Sequence, residues 1–253
     1  MSQRQVILRR MPRRCGIVPG LATLLALLPA AALAIVNGAV PAEARYRSAF
    51  AWVVALHYEG SEGICSGQLV APAWVLTAAH CTSSNARVMS GQLDRTRAGA
   101  VRVLRAVKHP RYDEKTGAYD IGLLQLEHPL SVEPVPMLTC AEAAALVRKG
   151  ALGVIAGYGR RITGVDFSRE LVVSDVVLDS LQIEGERFAF LDRASGPCGG
   201  DSGGPLLLAR ADGSWALAGV ASRVVGDLCA QGGGVSLYMN VGQLREFIDS
   251  HVR

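Results

Sequence analysis

"CGGDSGGP" (residues 198–205) sets one serine, Ser202, among four glycines. Its centre, GDSGG, satisfies G-x-S-x-G, the turn that exposes a nucleophilic serine in α/β-hydrolases. That fold needs an acid and then a histidine after the serine, on alternating strands and helices. Only 51 residues follow Ser202, the sole histidine among them is His251 near the chain end, and helical patterning is nearly absent. The serine-first reading fails.

Upstream, two segments offer a histidine and an acid: "LTAAHC" (76–81) places His80 beside Cys81, and "YDIGLLQL" (119–126) places Asp120 ahead of an apolar run. Each alone has a structural explanation, as a core histidine or a turn aspartate. Their surroundings read as strands: AFAWVVALHY (49–58), VRVLRAVKH (101–109), IGLLQLEH (121–128), LGVIAGYG (152–159), LVVSDVVL (171–178), PLLLAR (205–210) and WALAGVAS (215–222). These are short apolar or alternating runs, separated by loop chemistry such as HYEGSEG, HPRYDEKTG and AQGGG. The helical pattern is clear only at the end. There Asn240 can cap VGQLREFIDSHV, with Val241, Leu244, Phe247, Ile248 and Val252 on one face. A short helical piece is also expected around AEAAALV (141–147). The composition is that of an all-β protein in two similar halves, with a crossover between about His128 and Lys149.

The order His80, Asp120, Ser202, each in its local context, resembles the chymotrypsin-like (trypsin-type) serine peptidases. The resemblance covers essentially all of residues 35–253. It implies two antiparallel six-stranded β-barrels with a C-terminal α-helix, the N-terminal barrel at about 35–135 and the C-terminal barrel at about 136–253. It also implies peptide-bond hydrolysis: Ser202 attacks, His80 carries the proton, and Asp120 orients the imidazole. The backbone N–H groups of Gly200 and Ser202 would form the oxyanion hole. Ser222, in GVASRVV, matches a serine that hydrogen-bonds the triad aspartate and begins the substrate groove. His57, His109, His128 and His251 lack the TAAHC context and are assigned to surface or structural roles. The implied disulfides are Cys65–Cys81 and Cys198–Cys229, leaving Cys140 without a partner. The alternative is a catalytically inactive homologue acting as a binding protein.

At the other end, "AALAIVNGAV" (31–40) reads as the end of an export signal running into a folded domain. A basic start with five arginines, an apolar run from Leu21 to Ala34 and the small-residue pattern Ala32-Leu33-Ala34 are the marks of a signal peptide over residues 1–34. At 14 residues the run is short for a membrane span. Translation starting at Met11 would give a signal of more ordinary length. Removing it leaves 21 basic against 22 acidic residues, a net charge of −1. No basic surface then argues for nucleic acid or an anionic membrane. The resemblance implies that a free amino group on Ile35 would pair with Asp201 and switch the site on. Relatives make that end by cutting after a basic residue, whereas here Ala34 precedes Ile35. The export peptidase itself would then release the active chain; the rival is a cut after Ala32, followed by trimming of Leu33-Ala34.

Specificity is read from Gly196, at the foot of the expected pocket where trypsins carry aspartate, and from Val224 on its wall. Both point to small or medium apolar residues before the cut. Arg223 stands where the family usually has tryptophan, and acidic residues nearby or simple solvation both suit it. Asp227 keeps a basic preference open, and the opposite wall, Gly234 to Leu237, has an ambiguous register. No metal and no cofactor are implied. The expected partners are a protein or peptide substrate and a protein inhibitor, with the chain monomeric and secreted or periplasmic.

Overall fold

The computed structural model describes residues 35–160, 166–192, 195–226, 229 and 234–252. The expected signal peptide and Asp227 lie outside them. Among the described residues, no helix is long and apolar enough to cross a membrane.

Six antiparallel strands close the first barrel in the order β1-β2-β3-β6-β5-β4: β1 Val53–Tyr58, β2 Ile64–Ala71, β3 Trp74–Thr77, β4 Ala86–Ser90, β5 Gly99–Lys108 and β6 Gly122–Leu126. Strand β5 alternates, with Val101 and Val103 inside and Arg102 and Leu104 outside, as a strand with one wet face should. Strand β2 does not. It is buried from Ile64 to Val70, and its Ser66 meets Tyr158 and the Gly200–Ser202 loop of the second half.

That sheet runs β8-β7-β11-β12-β13-β10-β9, from β7 Leu152–Gly157, β8 Val172–Val177, β9 Asp179–Glu184, β10 Arg187–Asp192, β11 Pro205–Ala209, β12 Trp215–Val225 and β13 Gly234–Asn240. Seven strands replace the six expected. The two outermost, β8 and β9, are consecutive and joined by Leu178 alone, so the sheet must roll until its ends nearly meet. The extra strand comes from a break at Leu178; two residues on, inside β9, Ser180 has φ +50° where the β9–β10 register shifts.

The chain ends cross over between the two sheets. Ile35 packs into the core of the second, and Ala39 bridges to Val173 of β8. Val241, Leu244, Phe247 and Ile248 join the cluster built on the first.

Helix α1, Glu43–Ala49, was not legible in the sequence. It buries only Tyr46 and is too short to show a period, and it takes Ala49 from the strand expected at 49–58. Helix α2, Cys140–Leu146, lies where a helical piece was expected. Thr139 and Glu142 hydrogen-bond each other's backbone at its start. The C-terminal helix α3, Arg245–Asp249, is shorter than its apolar pattern. Asn240 Oδ1 accepts from Gln243 N–H at 3.3 Å, but Leu244 N–H is shared between the carbonyls of Asn240 and Val241. The first turn is therefore tighter than an α-helix.

Candidate active site

His80 sits in a single 3-10 turn, Ala79–Cys81, directly after β3. Asp120 lies two residues before the start of β6, the neighbour of β3, so pairing Thr77 with Gly122 brings the two side chains together across 40 residues.

Asp120 Oδ2 lies 2.8 Å from His80 Nδ1, and Asp120 Oδ1 accepts His80 N–H at 3.0 Å. Ser222 Oγ, from β12, donates to Oδ2 at 2.6 Å. Burial pushes the Asp120 carboxyl up, but the hydrogen bonds from His80 and Ser222 outweigh it and hold the group below the usual carboxylate range. An ionised carboxylate only accepts. The His80 proton therefore resides on Nδ1, and Nε2 is left with a lone pair. The Asp120 side chain is 3% exposed and that of His80 36%, so the ring's free edge faces the open side of the seam between the two sheets.

Ser202 lies on that side. Its carbonyl accepts Ser66 N–H at 2.8 Å and sits 3.7 Å from Cys81 Sγ, one residue beyond His80. The next residue, Gly203, is pressed against the approach to the histidine, since a Cβ there would be 2.9 Å from Ala78 N.

The Gly199–Gly200 and Asp201–Ser202 peptide planes are each held by the carbonyl. Gly199 O accepts Arg160 N–H at 2.7 Å, and Asp201 O accepts Gly204 N–H at 2.9 Å. In a trans peptide the N–H points opposite to its carbonyl. Gly200 N–H and Ser202 N–H are thus turned away from those anchors, and neither has a partner among the described residues. Gly200 takes φ +95°, which a side chain would oppose.

Asp201 points inward. Its carboxylate accepts Gly159 N–H at 2.8 Å and Cys198 N–H at 2.9 Å, with a further backbone bond from Ile35. Burial raises its pKa to about 7 despite these three donors. Ile35 is 1% exposed, and Val36 N–H donates to Gly196 O at 3.1 Å. The expected activation pair is therefore adjacent, joined here through the peptide N–H of an uncut chain.

Space around Asp201 is tight, and a Cβ on Gly157 would run into its Oδ1. The carboxylate is pinned and cannot yield. Gly157→Ala should therefore cost about 1–3 kcal/mol of stability, read as a lower midpoint in chemical denaturation; an unchanged midpoint would mean the carboxylate is free to move.

Both expected disulfides are present, Cys65–Cys81 with Cα atoms 6.1 Å apart and Cys198–Cys229 with 5.0 Å, and Cys140 is free. Cys65, His80 and Cys81 are close enough to suggest a metal set, but both sulfurs are spent in the disulfide.

A hydrogen-bonded histidine–aspartate pair at the rim of a closed six-stranded barrel, with a glycine-flanked serine of the second sheet anchored to that barrel through Ser66, narrows the choice of relatives. The trypsin family model matches residues 39–248. The chain belongs to the trypsin family of serine endopeptidases.

Its similarity to individual members is moderate. It is 33% identical to "Trypsin" of Simulium vittatum over 66% of this chain and 72% of that one. It is 30% identical to "Trypsin 5G1" of Aedes aegypti over 77% of each. It is also 32% identical to "Transmembrane protease serine 9" of Rattus norvegicus over 79% of this chain, which spans only 20% of the rat protein.

Measured against the family expectation, Gly196 and Ser222 are buried, Val224 is half-buried and Arg223 exposed. Val224 pairs across β12 and β13 with Ser236, which is fully buried. Sequence reading missed Ser66. Its Oγ accepts Tyr158 N–H at 3.1 Å and donates to Gly200 O at 3.0 Å, tying the first barrel to the serine loop. The serine directly after Cys65 was the only available signal, and one buried serine in a strand is not distinctive.

Proposed function

We propose that the chain is an exported, monomeric serine endopeptidase that cleaves peptide bonds through His80, Asp120 and Ser202. The observation that carries this reading is the Nδ1 bond of His80 to an ionised Asp120, which leaves Nε2 available as a base, with the Ser202 main chain 3.7 Å from Sγ of the adjoining Cys81.

Ser202 Oγ attacks the scissile carbonyl while His80 Nε2 takes its proton. Charge develops on the carbonyl oxygen, and the N–H groups of Gly200 and Ser202 receive it. The imidazolium, stabilised by Asp120, returns the proton to the leaving nitrogen as the C–N bond breaks. Water then repeats the sequence on the acyl-enzyme. Ser222 acts through Asp120: its hydroxyl removes one of the carboxylate's alternatives to facing His80. Ser222→Ala should lower kcat about tenfold, the weight of one hydrogen bond to a buried charge, with KM little changed and the acidic limb of the pH profile moved up. A pH profile identical to the wild type would remove that role.

The amino group of Ile35, once freed, would replace the peptide N–H at Asp201 and supply the missing positive charge. The absence of Lys or Arg before Ile35 supports release by the export peptidase. Formation of both disulfides supports a secreted or periplasmic site of action. Gly196 offers no charge to a substrate lysine or arginine, and Val224 narrows the wall, which supports cleavage after small or medium apolar residues.

Intact mass of the exported protein before and after a fluorophosphonate probe tests the whole reading. A mass starting at Ile35 that gains one adduct is expected. A chain that starts at Ile35 but takes no adduct would favour an inactive, binding homologue.

A further inference from the structure

Strand β12 outruns its neighbour beside the candidate site. Its pairing with β11 ends at Val220, and Ala221 is tied to Gly203 and Gly204. From Ser222 to Val225 the same edge of β12 has no partner among the described residues, while the other edge stays paired with β13. An extended peptide can add to such an edge, its backbone satisfying the open donors and acceptors. The edge starts at the residue that holds Asp120, so a peptide lying on it runs away from the reacting serine.

Arg223 rises from the middle of this edge. The β12–β13 register shifts between Ala221 and Arg223, so Ser222 is an extra residue on the β12 side. A bulge re-aims side chains. Here it sends Ser222 inward to Asp120 and leaves Arg223 on the outside.

The guanidinium does not trail into water; it lies on Gly117, three residues before Asp120. A Cβ built on Gly117 would be 2.7 Å from Arg223 Cζ and 3.0 Å from Nε, and closer still to Nη2. Gly117 has φ +69°, so glycine there serves the turn and opens the seat together. Among the described residues, no carboxylate forms an ion pair with Arg223. Asp120, the nearby acid in the seam, is committed to His80 and Ser222. A cation is thus held at the edge where substrate would lie, its charge unspent and its rotamer already chosen.

We infer that Arg223, seated on Gly117 at the free edge of β12, selects substrates bearing an acidic side chain on the segment that lies along that edge. A planar fork of donors suits a carboxylate in two-point contact. Neutral residues at the same place gain nothing from it. The inference rests on the peptidase reading given above and narrows its substrate class.

The test uses the secreted enzyme starting at Ile35 and peptide pairs that differ only by Asp against Asn, placed in turn at each residue flanking the scissile bond. The wild type should prefer Asp at one or two adjacent positions by about five- to tenfold in kcat/KM, the scale of a partly shielded ion pair. The preference should fall with rising ionic strength. Arg223→Ala should bring the Asp/Asn ratio to unity, and Arg223→Glu should invert it in favour of Asn. Gly117→Ala, which keeps the charge but unseats it, should reduce the ratio without inverting it. The ratio within each variant is the readout, so a change in overall rate does not obscure it. Equal rates on Asp and Asn peptides in a working wild type, or a preference that survives Arg223→Ala, overturns the inference alone. No turnover of any peptide together with no fluorophosphonate adduct overturns the peptidase reading and this one with it.

Discussion

Ser202→Ala should lower kcat/KM by about a millionfold on any peptide the enzyme cleaves, because the three residues act as one unit and the first bond to substrate cannot form. The fold should not notice. Ser202 Oγ supports nothing among the described residues, whereas its carbonyl, held by Ser66, is untouched by the change. The denaturation midpoint should therefore stay where it was and substrate binding should survive. Residual catalysis of about a thousandfold over water is expected from the two N–H groups and from binding alone. A variant that retains even a hundredth of the activity would mean that another group is the nucleophile, and the seam between the barrels would need a different reading.

The second large effect concerns the chain's new end. Two forms of the protein, one beginning at Ile35 and one carrying Ala34 before it, differ by a single residue remote from any peptide substrate. The extended form should nevertheless be weaker by about 10²–10⁴ in kcat/KM, from the roughly 3–5 kcal/mol at stake when a buried carboxylate lacks its opposite charge. Asp201 precedes Ser202 and follows Gly200, so its discomfort is delivered directly to both outward N–H groups. The pH dependence separates this cause from others. In the extended form the Asp201 carboxyl is raised to about 7, above its unfolded value near 4. A carboxyl raised on folding favours the fold while protonated. That contribution is complete below about pH 4 and is lost as pH climbs through 7, a swing of about 4 kcal/mol. Melting temperature of the extended form should then drop between pH 4 and 8, and the drop should shrink in Asp201→Asn and in the form beginning at Ile35. Parallel curves for the extended and Ile35 forms would sink the pairing.

Much of the site was legible in the sequence because its chemistry demands rare combinations. His80 next to Cys81, Asp120 before an apolar strand and Ser202 within GDSGG are each commonplace, but their order excluded the serine-first fold and matched one family over the whole domain. Strands with one wet face, such as β5, announced themselves by alternation. Elements without a period did not: α1 buries one side chain, and β9, which follows the 171–178 run, has no buried face. Ser66 was invisible for the same reason. Its role depends on Gly200 and Tyr158, which lie 134 and 92 residues away.

Identity and order of the candidate reactive groups were set by the sequence, since these depend on side-chain type and on motifs a few residues long; the two cysteine pairs were implied by the family those motifs resemble. Only the tertiary structure decided how the groups are aimed. The His80 tautomer follows from a carboxylate that burial would neutralise and three hydrogen bonds keep ionised. The direction of the Gly200 and Ser202 N–H groups follows from carbonyls anchored to Arg160 and Gly204. Arg223 was open to two readings in the sequence; a bulge at Ser222 and an empty place over Gly117 give it a fixed position. Each of these is a balance between desolvation and partners drawn from distant parts of the chain, and no local stretch contains both sides of that balance.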